Sequence, residues 1–284
     1  MASLISVGQV VDQSIHHYRK YFKNLLNISL YLFAGTPFFI AATILYSTTD
    51  NTRLIISAVC TLIGTLVSAI ASIWTFNALI FTVDAEVQNK KTKTEVLNRS
   101  AWKKFWPSLA LSIIIALASI IVTVLCLLPA AAIFLVSTAM HANSLLPFLA
   151  GIIFLLFGIV IAICVVGWIL VTTLFAPYAL MLEDNKIIQS LHRARNLING
   201  RWWATLLRLI LPNLCIAIIV YLIPKIIHFF LSILAVGSPS IIMPLFIIND
   251  IANVALYALT VPFLVIANYY VFQSLVDTYK QNAS

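Results

Sequence analysis

Charge is scarce in this sequence. Of its 284 residues only 9% are Asp, Glu, Lys or Arg, against about 25% in a soluble domain. Such a chain could not cover its own surface in water. The four cysteines, Cys60, Cys126, Cys164 and Cys215, fall in separate apolar segments with no pairing or metal spacing. They read as small apolar residues and not as a disulfide frame. The histidines His16, His17, His141, His192 and His228 show no metal spacing either, and His16 and His17 read as solvated residues on a polar helix face. No glycine-rich phosphate loop, nucleophile elbow or zinc motif occurs, so no catalytic, metal-binding or cofactor-binding residue is expected. The first 24 residues are polar at helical spacing. The first span is therefore expected to double as the insertion signal, with no cleaved leader.

Apolar runs are abundant. Residues 25–46, 54–83, 108–140, 148–182, 204–236 and 241–276 are each long enough to cross a hydrocarbon core, which takes about 20 helical residues. Backbone polar groups in lipid must be paired internally, and runs of this length do so as helices. The expected fold is an all-α integral membrane protein, one six-span domain over 1–284. Of the 17 lysines and arginines, only Arg53 and Lys225 fall on one side of such a layout. The N-terminal stretch, the loop with Lys90, Lys91, Lys93, Arg99, Lys103 and Lys104, the loop with Lys186 and its arginines, and the tail with Lys280 share the other. Basic residues mark the cytoplasmic side, so both termini are expected there. The Asn98-Arg99-Ser100 sequon would face the same side and carry no glycan.

The chain also repeats. "YRKYFKNL" (18–25) and "WKKFWPSL" (102–109) align without gaps, and "NGRWWATL" (199–206) keeps the last five positions. Each of these knots stands before an odd-numbered span. Before the first, Val7, Val10, Val11, Ile15 and Tyr18 share one helical face, opposite Gln9, Asp12, Gln13, His16 and Arg19. Before the third knot and the fifth span, Ile187, Ile188, Leu191, Leu197 and Ile198 oppose Gln189, His192, Arg193 and Asn196. This is the pattern of a helix lying in the interface. Gly200 fits the residue that ends such a helix in a left-handed conformation. Phe76, Phe175 and Tyr269 precede Asp84, Glu183 and Asp277 at equal spacing. The reading is three pseudo-repeats, roughly 1–84, 85–184 and 185–284, each an amphipathic interfacial helix plus a transmembrane hairpin.

Arg19, Lys20, Tyr21, Phe22, Trp102, Lys103, Lys104, Phe105, Trp106, Arg193, Arg195, Arg201, Trp202 and Trp203 form the three knots. Aromatic rings sit well at headgroup depth, and a basic residue there gains about 1 kcal/mol from anionic lipid. These residues are therefore expected to anchor the spans and to meet anionic headgroups. Nucleic acid is not an expected partner, because every knot is fused to a span. Ser57, Thr61, Gly64, Ser68 and Ser72 form a small-residue stripe suited to close packing against another span, with a homodimer face as the alternative. Pro244 is expected to break the run 241–276, placing Asn249 and Asp250 at the N-cap of a helix beginning near Ile251. A polar cavity is the other role open to Asp250.

The stretch "FAPYALMLEDNKIIQSLHRARNLINGRWWATL" (175–206) resembles the signature of a bacterial multi-pass family, the membrane domain of glycerophosphoryl diester phosphodiesterases and its stand-alone relatives. Pro177, Glu183, Ser190, Arg193, Arg195, Gly200, Arg201, Trp202 and Trp203 carry the likeness, and "SVGQVVDQSIHHYRKYFKNLL" is similar to the family's opening. The resemblance implies the fold and a bacterial inner membrane, but no catalytic residue, since phosphodiesterase activity in two-part members resides in a separate soluble barrel. The expected function is that of a non-enzymatic scaffold or lipid-interacting module with the bilayer as partner, and a protein partner or second copy as a further option. The alternative is a small-solute transporter, for which Asn77, Asn213, Asn268 and Asp250 are the polar intramembrane candidates.

Overall fold

A computed structural model of the chain describes residues 4–46, 51–90, 94–139, 145–235 and 242–283. Lys91, Lys93 and His141 lie outside them, as do the side chains of Cys215 and His228. The described residues are helical apart from short turns and caps, with no strand among them. In chain order the helices are α1 (Val7–Ser29), a 3-10 segment (Leu30–Gly35), α2 (Thr36–Tyr46), α3 (Asn51–Val87), α4 (Thr94–Lys103) and α5 (Phe105–Ala139). There follow α6 (Leu145–Thr173), α7 (Ala176–Leu182), α8 (Ile187–Ile198), α9 (Trp202–Ala235) and α10 (Ile242–Ala283). Six stretches are long and apolar enough to cross a membrane, one for each apolar run of the sequence. Their surfaces carry many exposed Ile, Leu, Val and Phe side chains, an outer coat suited to hydrocarbon and not to water.

Two compact units emerge, one of Met1–Trp106 with Trp203–Ser284 and one of Pro107–Trp202. Both boundaries fall inside aromatic knots, at Trp106 and Trp202.

In the first unit α1 starts from a capping box. The Ser6 hydroxyl accepts from the Gln9 amide, and the Gln9 side chain accepts from the Ser6 amide. Tyr21 leaves helical geometry at φ −112°, ψ 16°, so α1 is an amphipathic arm joined by an elbow to the start of the first span. The arm's buried stripe is Val10, Ser14 and His17, while Ile15 is exposed. This is rotated from the expected face. An apolar residue at a bilayer surface finds lipid as good a neighbour as protein, so polarity does not mark the inward side. The arm lies along α10: the Tyr18 hydroxyl donates to the Leu259 carbonyl at 2.8 Å and the Ile5 amide to Ser274 at 3.0 Å.

The small-residue stripe of α3 packs within the chain. A Cβ on Gly35 would collide with the Gly64 carbonyl, Gly64 itself lies against Phe38 and Phe39, and the Ser57 hydroxyl donates to Ala42 at 2.8 Å. At 37 residues α3 is about 55 Å long, well beyond a hydrocarbon thickness of about 30 Å. Its polar end therefore projects out of the apolar layer.

Two expectations need correction. The run 148–182 is not one helix: it breaks at Leu174 and Phe175, and α7 restarts with Pro177 in its first turn, where the missing amide is harmless. Nor does Pro244 break α10. It occupies the first turn, and the helix runs unbroken through Asn249 and Asp250. Asp250 is thus inside a helix and is not its N-cap.

Candidate functional site

The first unit gathers its polar groups where α3 ends. His17, expected in solvent, is only 5% exposed. Its Nε2 lies 2.9 Å from Glu86 Oε2, with side-chain exposures of 6% and 10%, and the Tyr270 hydroxyl lies 3.4 Å from its Nδ1. His16, its neighbour, is exposed as expected. Beside this pair the Tyr269 hydroxyl donates to Asp84 at 2.8 Å and accepts from Gln273 at 2.9 Å, and Gln88 donates to Asp84 at 2.7 Å. Helix α3 closes with Asn89 in the left-handed region at φ 52° and the Lys90 amide donating to the Ala85 carbonyl at 2.8 Å. This is the Schellman turn that Asn tolerates best after Gly.

The α1 elbow and this turn bound a cavity of about 450 Å³, lined by Tyr21, Asn24, Asn27, Thr82, Glu86 and Lys90 among others. Glu86 Oε1 and the Thr82 hydroxyl are buried there with no hydrogen-bond partner.

A second cavity of about 450 Å³ lies among α2, α3 and α10. Thr36, Thr43, Ser57, Thr61, Asp250 and Asn253 give it its polar lining. The buried Thr36 hydroxyl has no partner, whereas the Thr43, Ser57 and Thr61 hydroxyls donate to backbone carbonyls. Of the four intramembrane candidates only Asp250 lines this cavity. Asn77 and Asn268 are buried elsewhere, and Asn213 donates to the Leu209 carbonyl at 2.6 Å.

In the second unit α7 and α8 form a helical hairpin. Asp184 turns the chain at φ 54°. Arg193 Nε and Nη2 then grip both oxygens of Glu183 at 2.9 and 3.0 Å, and Asn185 donates to the same carboxylate at 3.0 Å. Gly200, at φ +76° with nothing within 4 Å of where a Cβ would stand, ends α8 as the sequence implied. The requirement there is backbone conformation and not space.

The three knots divide accordingly. Arg19, Lys20, Phe22, Trp102, Lys103, Trp106, Arg195 and Trp203 are exposed; Tyr21, Lys104, Arg201 and Trp202 are half-buried. Lys20 sits 5.0 Å from the centre of the Tyr21 ring. Phe105 is 6% exposed, stacked 5.4 Å from Trp102, and so serves packing and not the headgroup layer. Arg193 is committed to Glu183 and is no free headgroup ligand. Sequence reasoning missed Glu86, whose partner is 69 residues away. The available signal was His17 continuing the Val10–Ser14 stripe, which no solvated histidine needs to do.

Among the described residues no group of three or more His, Cys, Asp or Glu could hold a metal ion. The fold and its apolar surface define a class: a chain helical over its described residues, with six helical stretches among them long and apolar enough to cross a membrane. No family model, curated protein or solved structure matches this chain.

Proposed function

We propose that this protein is a non-enzymatic, lipid-interacting module of the bacterial inner membrane, with both termini cytoplasmic and three degenerate copies of an interfacial helix plus a hairpin. The elbowed arm α1 carries the reading. Its inward side is pinned by His17 to Glu86 while Arg19, Lys20 and Phe22 stay exposed beside the elbow. Cations next to aromatic rings at the end of a span suit an anionic headgroup layer. The repeat draws support from α4 and α8, short helices that precede the third and fifth spans as the α1 arm precedes the first. The basic-residue bias supports the orientation, and the likeness of 175–206 to the phosphodiesterase membrane domain supports the compartment.

The test is lipid retention by the purified chain in native mass spectrometry. Replacing Arg19, Lys20 and Lys23 together by glutamine is expected to strip bound phosphatidylglycerol. Unchanged retention would sink the proposal. A second reading, small-solute transport, is favoured by the Asp250 cavity. It predicts solute flux in proteoliposomes that Asp250→Asn abolishes.

A further inference from the structure

We infer that the polar cavity at the α1 elbow is a headgroup site for an aminophospholipid, with Glu86 receiving a primary ammonium and Lys90 the phosphate. The inference rests on the lipid-interacting reading and gives it a site.

Glu86 sends one oxygen to His17 and keeps the other, Oε1, buried on the cavity without a partner. A buried carboxylate oxygen in that state calls for a donor. The Thr82 hydroxyl, also buried and unpartnered, lines the same space. Asn24, Asn27 and Asn89 add amide groups that both donate and accept. Lys90 is carried to the cavity by the left-handed turn at Asn89. One acid and one base on a single small cavity match a zwitterion. The acid's need for an N–H donor selects a primary amine over a quaternary one.

A neighbouring cavity points to a lipid as the source. It measures about 390 Å³ and is walled by Tyr31, Val67, Ile70, Ala71, Trp74 and Trp102. Leu97 of α4 lines the polar cavity and the next residue, Asn98, lines the apolar one. Trp74 precedes Glu86 by about 18 Å along α3, toward the apolar body of the span. A polar pocket and an apolar one side by side along α3 and α4 have the shape of a headgroup followed by an acyl chain.

The delipidated full-length chain is offered phosphatidylethanolamine, phosphatidylcholine or phosphatidylglycerol in mixed micelles, and bound lipid is counted by native mass spectrometry. Phosphatidylethanolamine should be retained about tenfold over phosphatidylcholine, the difference expected for a charge-assisted hydrogen bond. Glu86→Gln should erase that preference and leave phosphatidylglycerol uptake unchanged. Lys90→Gln, at an exposed position, should weaken phosphatidylethanolamine about threefold. Equal retention of the ethanolamine and choline lipids by the unmodified chain overturns the site, and that comparison needs no variant to fold. If phosphatidylglycerol is still held in that case, only the site falls; if no lipid is held, the broader reading falls with it. Free phosphoethanolamine that saturates the cavity while the lipid does not compete would refute the lipid source.

Discussion

Helices α1 and α8 are both amphipathic, and each is tied to a carboxylate where an apolar helix ends. The ties differ in kind. His17 and Glu86 are nine-tenths buried. Arg193 and Glu183 are a quarter exposed, and their contact is a two-pronged fork. Arginine keeps its charge everywhere, so its pair stays partly wet, where desolvation is small and the gain is modest. A histidine carries its ring nitrogens on a short, stiff stem that packs into a dry site, and there its carboxylate partner depends on it. The depth of the tie thus follows from which base the helix offers.

The largest expected effect breaks the buried tie. His17→Leu leaves Glu86 buried without its ring and should destabilise the chain by about 3 kcal/mol, while adding Glu86→Leu should recover most of that loss. Unfolding midpoints in detergent would read both, and equal midpoints for the single and double variants would count against the buried-pair account. Next comes the end of α8. Gly200→Ala forces a side chain into the left-handed region at φ +76° and should cost about 1–2 kcal/mol. Arg193→Gln should cost about 1 kcal/mol. A Glu183→Arg, Arg193→Glu exchange should restore part of it, as a double-mutant cycle would reveal. The smallest change is expected at Asn89→Gly, within about 0.5 kcal/mol, because asparagine already tolerates φ 52°. A large loss there would mean that the Asn89 side chain, and not its backbone, matters at the cavity.

Much of the fold was legible because a bilayer enforces it. Six apolar runs became six stretches able to cross a membrane, since backbone amides in lipid must be paired internally and runs of this length do so as helices. Gly200 was legible from local chemistry alone. The errors came where the true start of a helix, distance along the chain or burial decided. Pro244 looked like a break, yet a proline in a first turn lacks only an amide that would have gone unpaired. His17 looked solvated because its neighbours His16 and Arg19 are, and nothing local announces a partner 69 residues away. The inward face of α1 was misjudged for a related reason. Ile15 faces outward and Ser14 inward, because in a membrane protein small size marks a packed side better than hydrophobicity does.

The seat of α1 also has a consequence for biogenesis. Its contacts run to Leu259, Tyr270 and Ser274 on α10, and Arg208 of α9 donates to the Ile5 carbonyl. Synthesis delivers the arm long before it delivers those partners. Until the last span has entered the bilayer, the arm has only lipid and the Glu86 end of α3 to rest on. An amphipathic arm with basic and aromatic residues at its elbow is suited to that wait: α1 is made well before α9 and α10 but is fully seated only after them.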